Sequence, residues 1–230
     1  AYYGCLEYFT SKPLMWLLYI RGHLRLAPYL ANKMIFISAT QVTKPGQKGG
    51  DVRFSRVSRD LGLHLKQRPD TFITTLVDYY GTSEWPGLEA VKKNSTPKEI
   101  AHTLNGATAQ AVNELYSAYR SHERFIPFIA MHEFEAFLFS DADKLADELG
   151  IQVKEIHAVL DECDGPEAIN NSPETAPSKR LNKWSANGKF AKTTMGIAIA
   201  QRIGIATMRA KCPLFGDWLT SLEQTLMIKL

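Results

Sequence analysis

Cysteine is scarce in this sequence. Cys5, Cys163 and Cys212 are odd in number, lie far apart and form no CxxC. That pattern argues against a disulfide framework or a cysteine-based zinc site, and it fits a reducing, cytoplasmic compartment. Long hydrophobic runs are also missing. The best of them, Pro13 to Ile20, has eight residues, whereas a bilayer span needs about 20. No small-residue cleavage site follows it, so no membrane partner is expected. There is no GxxxxGK[ST] phosphate loop and no HExxH zinc-protease helix, which removes two common routes to nucleotide and peptide chemistry. Repeats and low-complexity tracts are absent too.

What remains is an ordinary globular composition over 230 residues, enough for one large domain or for a domain with a helical appendage. The net charge of +3 hides an asymmetry. Residues 1–70 carry eleven Lys or Arg against four Asp or Glu, and the remainder carries sixteen against twenty. A basic front and an acidic rear suit a polyanion approaching from one side, and a random surface distribution would look similar.

Residues 1–25 show no sustained period. Leu26 to Asn32 resembles the end of a helix. Met34 to Ala39 (MIFISA) reads as a short buried strand, and Gln41 to Asp51 (QVTKPGQKGGD) as a loop. Ser55 to Lys66 reads as a helix, with Val57, Leu61 and Leu65 on one face. Thr71 to Val77 (TFITTLV) is the clearest strand: β-branched, uncharged and suited to burial on both faces. A helix follows over Pro97 to Tyr119, with a candidate break at Asn105-Gly106. Phe125 to Met131 is another apolar strand, which Pro127 makes an edge or irregular one. The chain beyond Ser140 is helical: Asp141 to Leu149, Val153 to Cys163, Ser178 to Trp184, Thr194 to Ile203 and Phe215 to Leu226. This order predicts an α/β core over residues 1–140 with a mostly parallel sheet, and a C-terminal helical extension over 141–230 packed on it.

Ligands of open α/β sheets bind beyond the carboxyl ends of the strands. Asp78 stands at such an end, where a carboxylate can hold a hard cation such as Mg²⁺ or simply form a turn. His132-Glu133-Phe134-Glu135 follows another apolar strand and should reach the same rim. An extended segment would put Glu133 and Glu135 on one face; a helix would pair His132 with Glu135. His132 could equally be a structural hydrogen-bonding group. Ser178 could open a helix whose N-terminus attracts phosphate, with Lys179, Arg180 and Glu174 beside it, or the segment could be a plain helix start. Lys44, Lys48, Gly49, Gly50, Arg53, Arg56 and Arg59 could track a phosphodiester backbone.

Several stretches together resemble the bacterial DUF4276 family. They are LAPYLA at Leu26–Ala31, GGDVRFSRVSRDL at Gly49–Leu61, TTLVDYYG at Thr74–Gly81 and RFIPFIAMHEFEAFLF at Arg124–Phe139, then PEAINNSPETAPSKRL at Pro166–Leu181 and CPLFGDWLTSLE at Cys212–Glu223. The resemblance implies a Toprim-like, Rossmann-type sheet whose acidic residues bind Mg²⁺ or Mn²⁺ to cut phosphodiesters. It further implies nucleic acid as a partner, and a setting in bacterial defence or mobile elements beside an ABC-type or SMC-like ATPase. On that view Asp78, Glu133 and Glu135 are the metal and catalytic residues, and Arg56, Arg59, Ser178, Lys179 and Arg180 bind phosphate. Asp78 matches the first acid of the Toprim Asp-x-Asp, and Tyr80 replaces the second. The front departs from the pattern. A Val-Glu-Gly-type turn is expected about a dozen residues before LAPYLA, but Lys12–Met15 holds no acid, and before Asp51 Glu7 stands alone as a carboxylate. If that acid has gone, the chain is expected to be a catalytically lapsed module that binds nucleic acid or an ATPase.

Overall fold

The computed structural model describes residues 16–22, 35–41, 53–80, 82–169, 172 and 174–229. Glu7, the expected helix end at 26–32 and most of the 41–51 loop, Lys44 and Lys48 included, lie outside these.

At the centre runs β3, Phe72–Asp78, buried along its length up to Val77. Its β-branched residues suit a pleated surface covered on both sides. β1 is Trp16–Gly22 and β2 is Ile35–Gln41. β1 lies between β2 and β3 and runs antiparallel to both. β2 and β3 therefore point the same way, joined through helix α1, Phe54–Gln67. The same logic carries β3 through helix α2, Pro97–Tyr116, to β4, Phe125–Ile126, which pairs parallel with β3. The sheet is thus mixed rather than mostly parallel. The helical crossovers keep β2, β3 and β4 parallel, as such connections require, and the departure is β1, in the stretch that carries no readable period.

Pro127 splits the fourth strand. β5, Ile129–Ala130, resumes parallel pairing with β3 after the interruption. Proline cannot donate to a ladder, and side chains take over there: the Phe128 N–H donates to Thr75 Oγ1 at 3.3 Å, and the Ile129 N–H donates to Asn105 Oδ1 at 3.0 Å. That second bond bears on α2, which continues through Asn105-Gly106 without the anticipated break. Its start is a capping box, Thr96 with Glu99, behind Pro97 at the first helical position, a combination that satisfies the orphan N–H groups.

β3 separates two apolar clusters. Ile73 and Val77 face α1 and α2, meeting Val57, Leu61, Leu65, Ile100, Leu104 and Val112. Phe72 and Leu76 face the C-terminal helices, meeting Phe137, Leu145, Ile199, Phe215 and Trp218 among others. The alternation follows from the two-residue period of a strand. The C-terminal helices are α3 (Ala142–Leu149), α4 (Val153–Cys163), α5 (Pro177–Trp184), α6 (Ile197–Ile203), α7 (Ile205–Lys211) and α8 (Pro213–Lys229). α3 is capped by Asp141, which accepts from the Lys144 N–H, and is stopped by left-handed Gly150, as an aspartate cap and a glycine beyond the last turn do. α7 was not anticipated; Gly204, at φ 81°, separates it from α6. Among the described residues no helix is long and apolar enough to cross a membrane.

Candidate carboxylate site

Beyond β3 the backbone stays zipped to the next segment. The Tyr79 N–H donates to Ala130 O at 3.0 Å and the Tyr80 N–H donates to His132 O at 2.8 Å. This pairing carries Glu133 and Glu135 to the end of the strand that bears Asp78. Glu133 is still extended, and Phe134–Ser140 then winds into a 3-10 helix.

The three carboxylates are held differently. Asp78 lies on the same strand face as Phe72, Thr74 and Leu76, towards the C-terminal helices. Its Oδ1 accepts the Phe134 N–H at 3.0 Å. The residue keeps some surface at the strand end, yet its carboxyl is crowded by protein. Burial pushes that carboxyl up to about 8, Glu135 and Glu133 push the same way, and Lys192 and the Phe134 N–H oppose them. Glu133 meets the start of α5: the Ser178 N–H reaches Oε2 and the Ser178 hydroxyl reaches Oε1, both at 2.9 Å. Pro177 has no N–H, so Ser178 offers the first donor of that helix, and a helix N-terminus favours an anion. The anion there is an internal carboxylate. Glu135 is ion-paired with Lys192. Burial raises the Glu135 carboxyl, and Lys192 pulls it back down. Burial also disfavours the Lys192 ammonium, but Glu135, then Glu133 and Asp78, outweigh it and leave Lys192 above its ordinary value.

The remaining candidates separate from this cluster. His132 is 6 % exposed, and its Nδ1 has no hydrogen-bond partner among the described residues. Its ring lies 5.7 Å from that of Tyr79, and burial pushes the imidazole down to about 4. A neutral histidine whose ring is tilted against that of Tyr79 forms no metal-holding group with the carboxylates. Arg56 and Arg59 ride on α1, which packs on the opposite face of β3. Arg180 is committed locally, donating to Thr175 O at 2.9 Å and lying 3.5 Å from Glu162. Lys179 and Glu174 are exposed. β1 ends at Gly22, the far edge of the sheet, since Ile20 sits opposite Phe72 and Trp16 opposite Leu76. The rim near Asp78 therefore receives no acid from the carboxyl end of β1.

Two residues of consequence were missed from sequence. Lys192 is the cation of the cluster; its nearest sequence signal is a lysine placed just before a helix, in a chain whose buried carboxylates need a counter-charge. Glu167 is the other. It accepts the Leu214 and Phe215 N–H groups at 2.8 and 2.9 Å, capping α8 from across the chain.

Chemically, the cluster sets three carboxylates around one ammonium. Fully ionised, it would be short of two positive charges; burial first, and the two glutamates after it, raise the Asp78 carboxyl. Such a donor set suits a divalent cation, which prefers oxygen. No three Asp, Glu, His or Cys side chains among the described residues form a group that could hold a metal ion.

Residues 23–223 match the model of a family described as a domain of unknown function, DUF4276. No curated protein and no solved structure matches the chain.

Proposed function

Taking as premise that the chain belongs to the DUF4276 family, we propose that it is a Toprim-like, Mg²⁺- or Mn²⁺-dependent nuclease that hydrolyses phosphodiesters at the Asp78, Glu133 and Glu135 rim. The observation that carries this reading is the approach of Asp78, at the end of β3, to Glu133 and Glu135, which follow the next strand, with Lys192 as their cation. A bound divalent ion would supply electrophilic polarisation of a phosphoryl oxygen and an acidified water. The protein's own part is to hold the acids. Ser178 anchors Glu133, the Phe134 N–H orients Asp78, and exposed Lys179, one residue along α5, offers a cation to a backbone phosphate. Nucleic acid is the proposed substrate, with an ABC-type or SMC-like ATPase as partner in a defence or mobile-element setting.

The Lys192–Glu135 ion pair supports a second reading. A site neutralised from within suits a lapsed module that binds nucleic acid or an ATPase without cutting. Incubation of plasmid, linear DNA and structured RNA with Mg²⁺ or Mn²⁺ decides between them, with Asp78→Ala as control. The nuclease reading expects cleavage lost at least about 100-fold in the variant; equal background in both proteins leaves only the binding module.

A further inference from the structure

The C-terminal extension divides by charge. Residues 141–174 carry ten Asp or Glu against two Lys, whereas residues 175–216 carry eight Lys or Arg and no Asp or Glu. Four of those eight cations are ion-paired with acids outside the segment: Arg180 with Glu162, Lys192 with Glu135, Arg202 with Asp147 and Arg209 with Glu223. The other four, Lys179, Lys183, Lys189 and Lys211, are exposed and make no ion pair among the described residues. Three of them fall together. Lys179 and Lys183 stand four residues apart on one face of α5. The chain after α5 is tied back to it, because the Phe190 N–H donates to Asn182 Oδ1 at 2.7 Å. That bond sets Lys189 beside the turn of helix that carries Lys183. The other exposed positions from 186 to 194 are Ala, Asn, Gly and Thr, with no exposed large hydrophobic side chain among them. Trp184 turns inward, its ring 5.9 Å from that of Phe139.

This composition selects the ligand. A lipid surface or a protein partner is held by aromatic and aliphatic anchors, and the strip presents none. A phosphodiester backbone asks for ammonium groups, hydroxyls and side-chain amides, which the strip does present. It also borders the carboxylate rim: Ser178, next to Lys179, holds Glu133, and Lys192, just beyond Lys189, holds Glu135. We propose that the outer face of α5 and the turn after it, through Lys179, Lys183 and Lys189, is a track for the sugar-phosphate backbone of a nucleic acid, running to the carboxylate rim. The inference rests on the proposed function for one point, that the ligand is nucleic acid, and it asks for neither a metal ion nor cleavage. It moves the main phosphate contacts away from Arg56 and Arg59, on the other side of β3.

The test uses the full chain in EDTA with labelled single-stranded DNA, duplex DNA and RNA oligonucleotides, read by fluorescence anisotropy over a range of salt. The triple variant Lys179→Gln, Lys183→Gln, Lys189→Gln is expected to bind at least about tenfold more weakly, and to flatten the slope of log K against log salt on duplex DNA by about 2–3. Lys189→Glu, a single change in an exposed turn, should act in the same sense and does not depend on how α5 tolerates substitution. Exposed Lys92, Lys93 and Lys98, at and before the start of α2, provide a control of equal charge. Changing all three to Gln should cost less than about threefold, since separated surface charges are screened. Equal losses in the two triple variants would overturn the track and leave nucleic-acid binding as an effect of net charge. Binding of the wild type to phosphatidylserine vesicles, and to no oligonucleotide, would overturn the choice of ligand. If the wild type binds neither at micromolar protein and low salt, the nucleic-acid reading falls and the inference with it.

Discussion

The two faces of β3 solve burial in different ways. Towards α1 and α2 the strand meets aliphatic side chains, and the buried ion there is Arg124, whose guanidinium donates only to backbone carbonyls: Thr71 at 3.0 Å, Leu65 at 3.1 Å, Tyr119 at 2.8 Å, and Arg68. It ties the end of α1, the start of β3 and the turn after α2 into one corner. Towards the C-terminal helices the core is aromatic, with Phe128 stacked on Trp218 at 4.6 Å, and it surrounds several carboxyls. Glu133 and Glu167 each bind a helix N-terminus, Glu135 binds a lysine, and Asp78 is the least compensated. A buried charge satisfied by fixed dipoles is structural, whereas one left short of partners is a reservoir for chemistry. That difference is the reason the proposed site is put on the C-terminal side of the sheet.

The sharpest way to break that contrast is to remove the ion from the quieter face. Arg124→Met takes a donor from four carbonyls, of which Arg68 O keeps the Thr71 N–H, and should cost about 3–5 kcal/mol in denaturant unfolding, with no special dependence on divalent ions. A loss under about 1 kcal/mol would mean water replaces the guanidinium and the corner is looser than the bonds suggest. Next in size is Glu167. Burial pushes its carboxyl up to about 7, against the Leu214 and Phe215 N–H groups that favour its charge. Glu167→Ala uncaps α8 and should cost about 2–3 kcal/mol, and Glu167→Gln, which keeps an acceptor, about half of that. Equal losses in the two variants would show that charge, rather than hydrogen bonding, carries the cap.

How far these features could be read in advance depended on whether local pattern or distant packing decided them. β3 was legible because a β-branched, uncharged run has few alternatives, and Asp78 at its end followed directly. The approach of Glu133 and Glu135 was legible for the same reason, since both follow the next apolar strand. Pro127 announced its own irregularity. Asn105-Gly106 misled: one glycine costs a helix only about 1 kcal/mol, and the bond from the Ile129 N–H to Asn105 gives this turn of α2 a partner. β1 could not be placed because residues 1–25 lack a period and its antiparallel pairing is a tertiary choice. Ser178 was read either as opening a helix that attracts phosphate or as a plain helix start; it lies one residue inside α5, and nothing local showed that it would donate to Glu133. Lys192 was invisible for a related reason. A long side chain pairs with an acid 57 positions earlier only because α6, which its turn leads into, packs on the 3-10 stretch.

The smallest effect is the most telling about the carboxylate side. Asp78 has its carboxyl near 3.8 in an open chain and at about 8 in the fold. Between those values the folded protein binds a proton that the unfolded chain has released, so stability is fullest below about pH 4 and declines as pH rises towards 8. Glu135 is shifted in the same direction. Asp78→Asn keeps the side chain neutral at every pH. In the presence of a chelator its melting temperature should therefore gain on the wild type from pH 5 to pH 8; over that range the full shift corresponds to about 4 kcal/mol, which relaxation of the site around the new charge reduces to roughly 1–2 kcal/mol. Glu167 titrates in both proteins and cancels from the difference. A constant offset across this range would mean that Asp78 is already ionised and compensated, and the charge shortage that distinguishes the two faces would disappear. A growing offset that Mn²⁺ shrinks by stabilising only the wild type would locate the shortage at the atoms proposed to hold the ion.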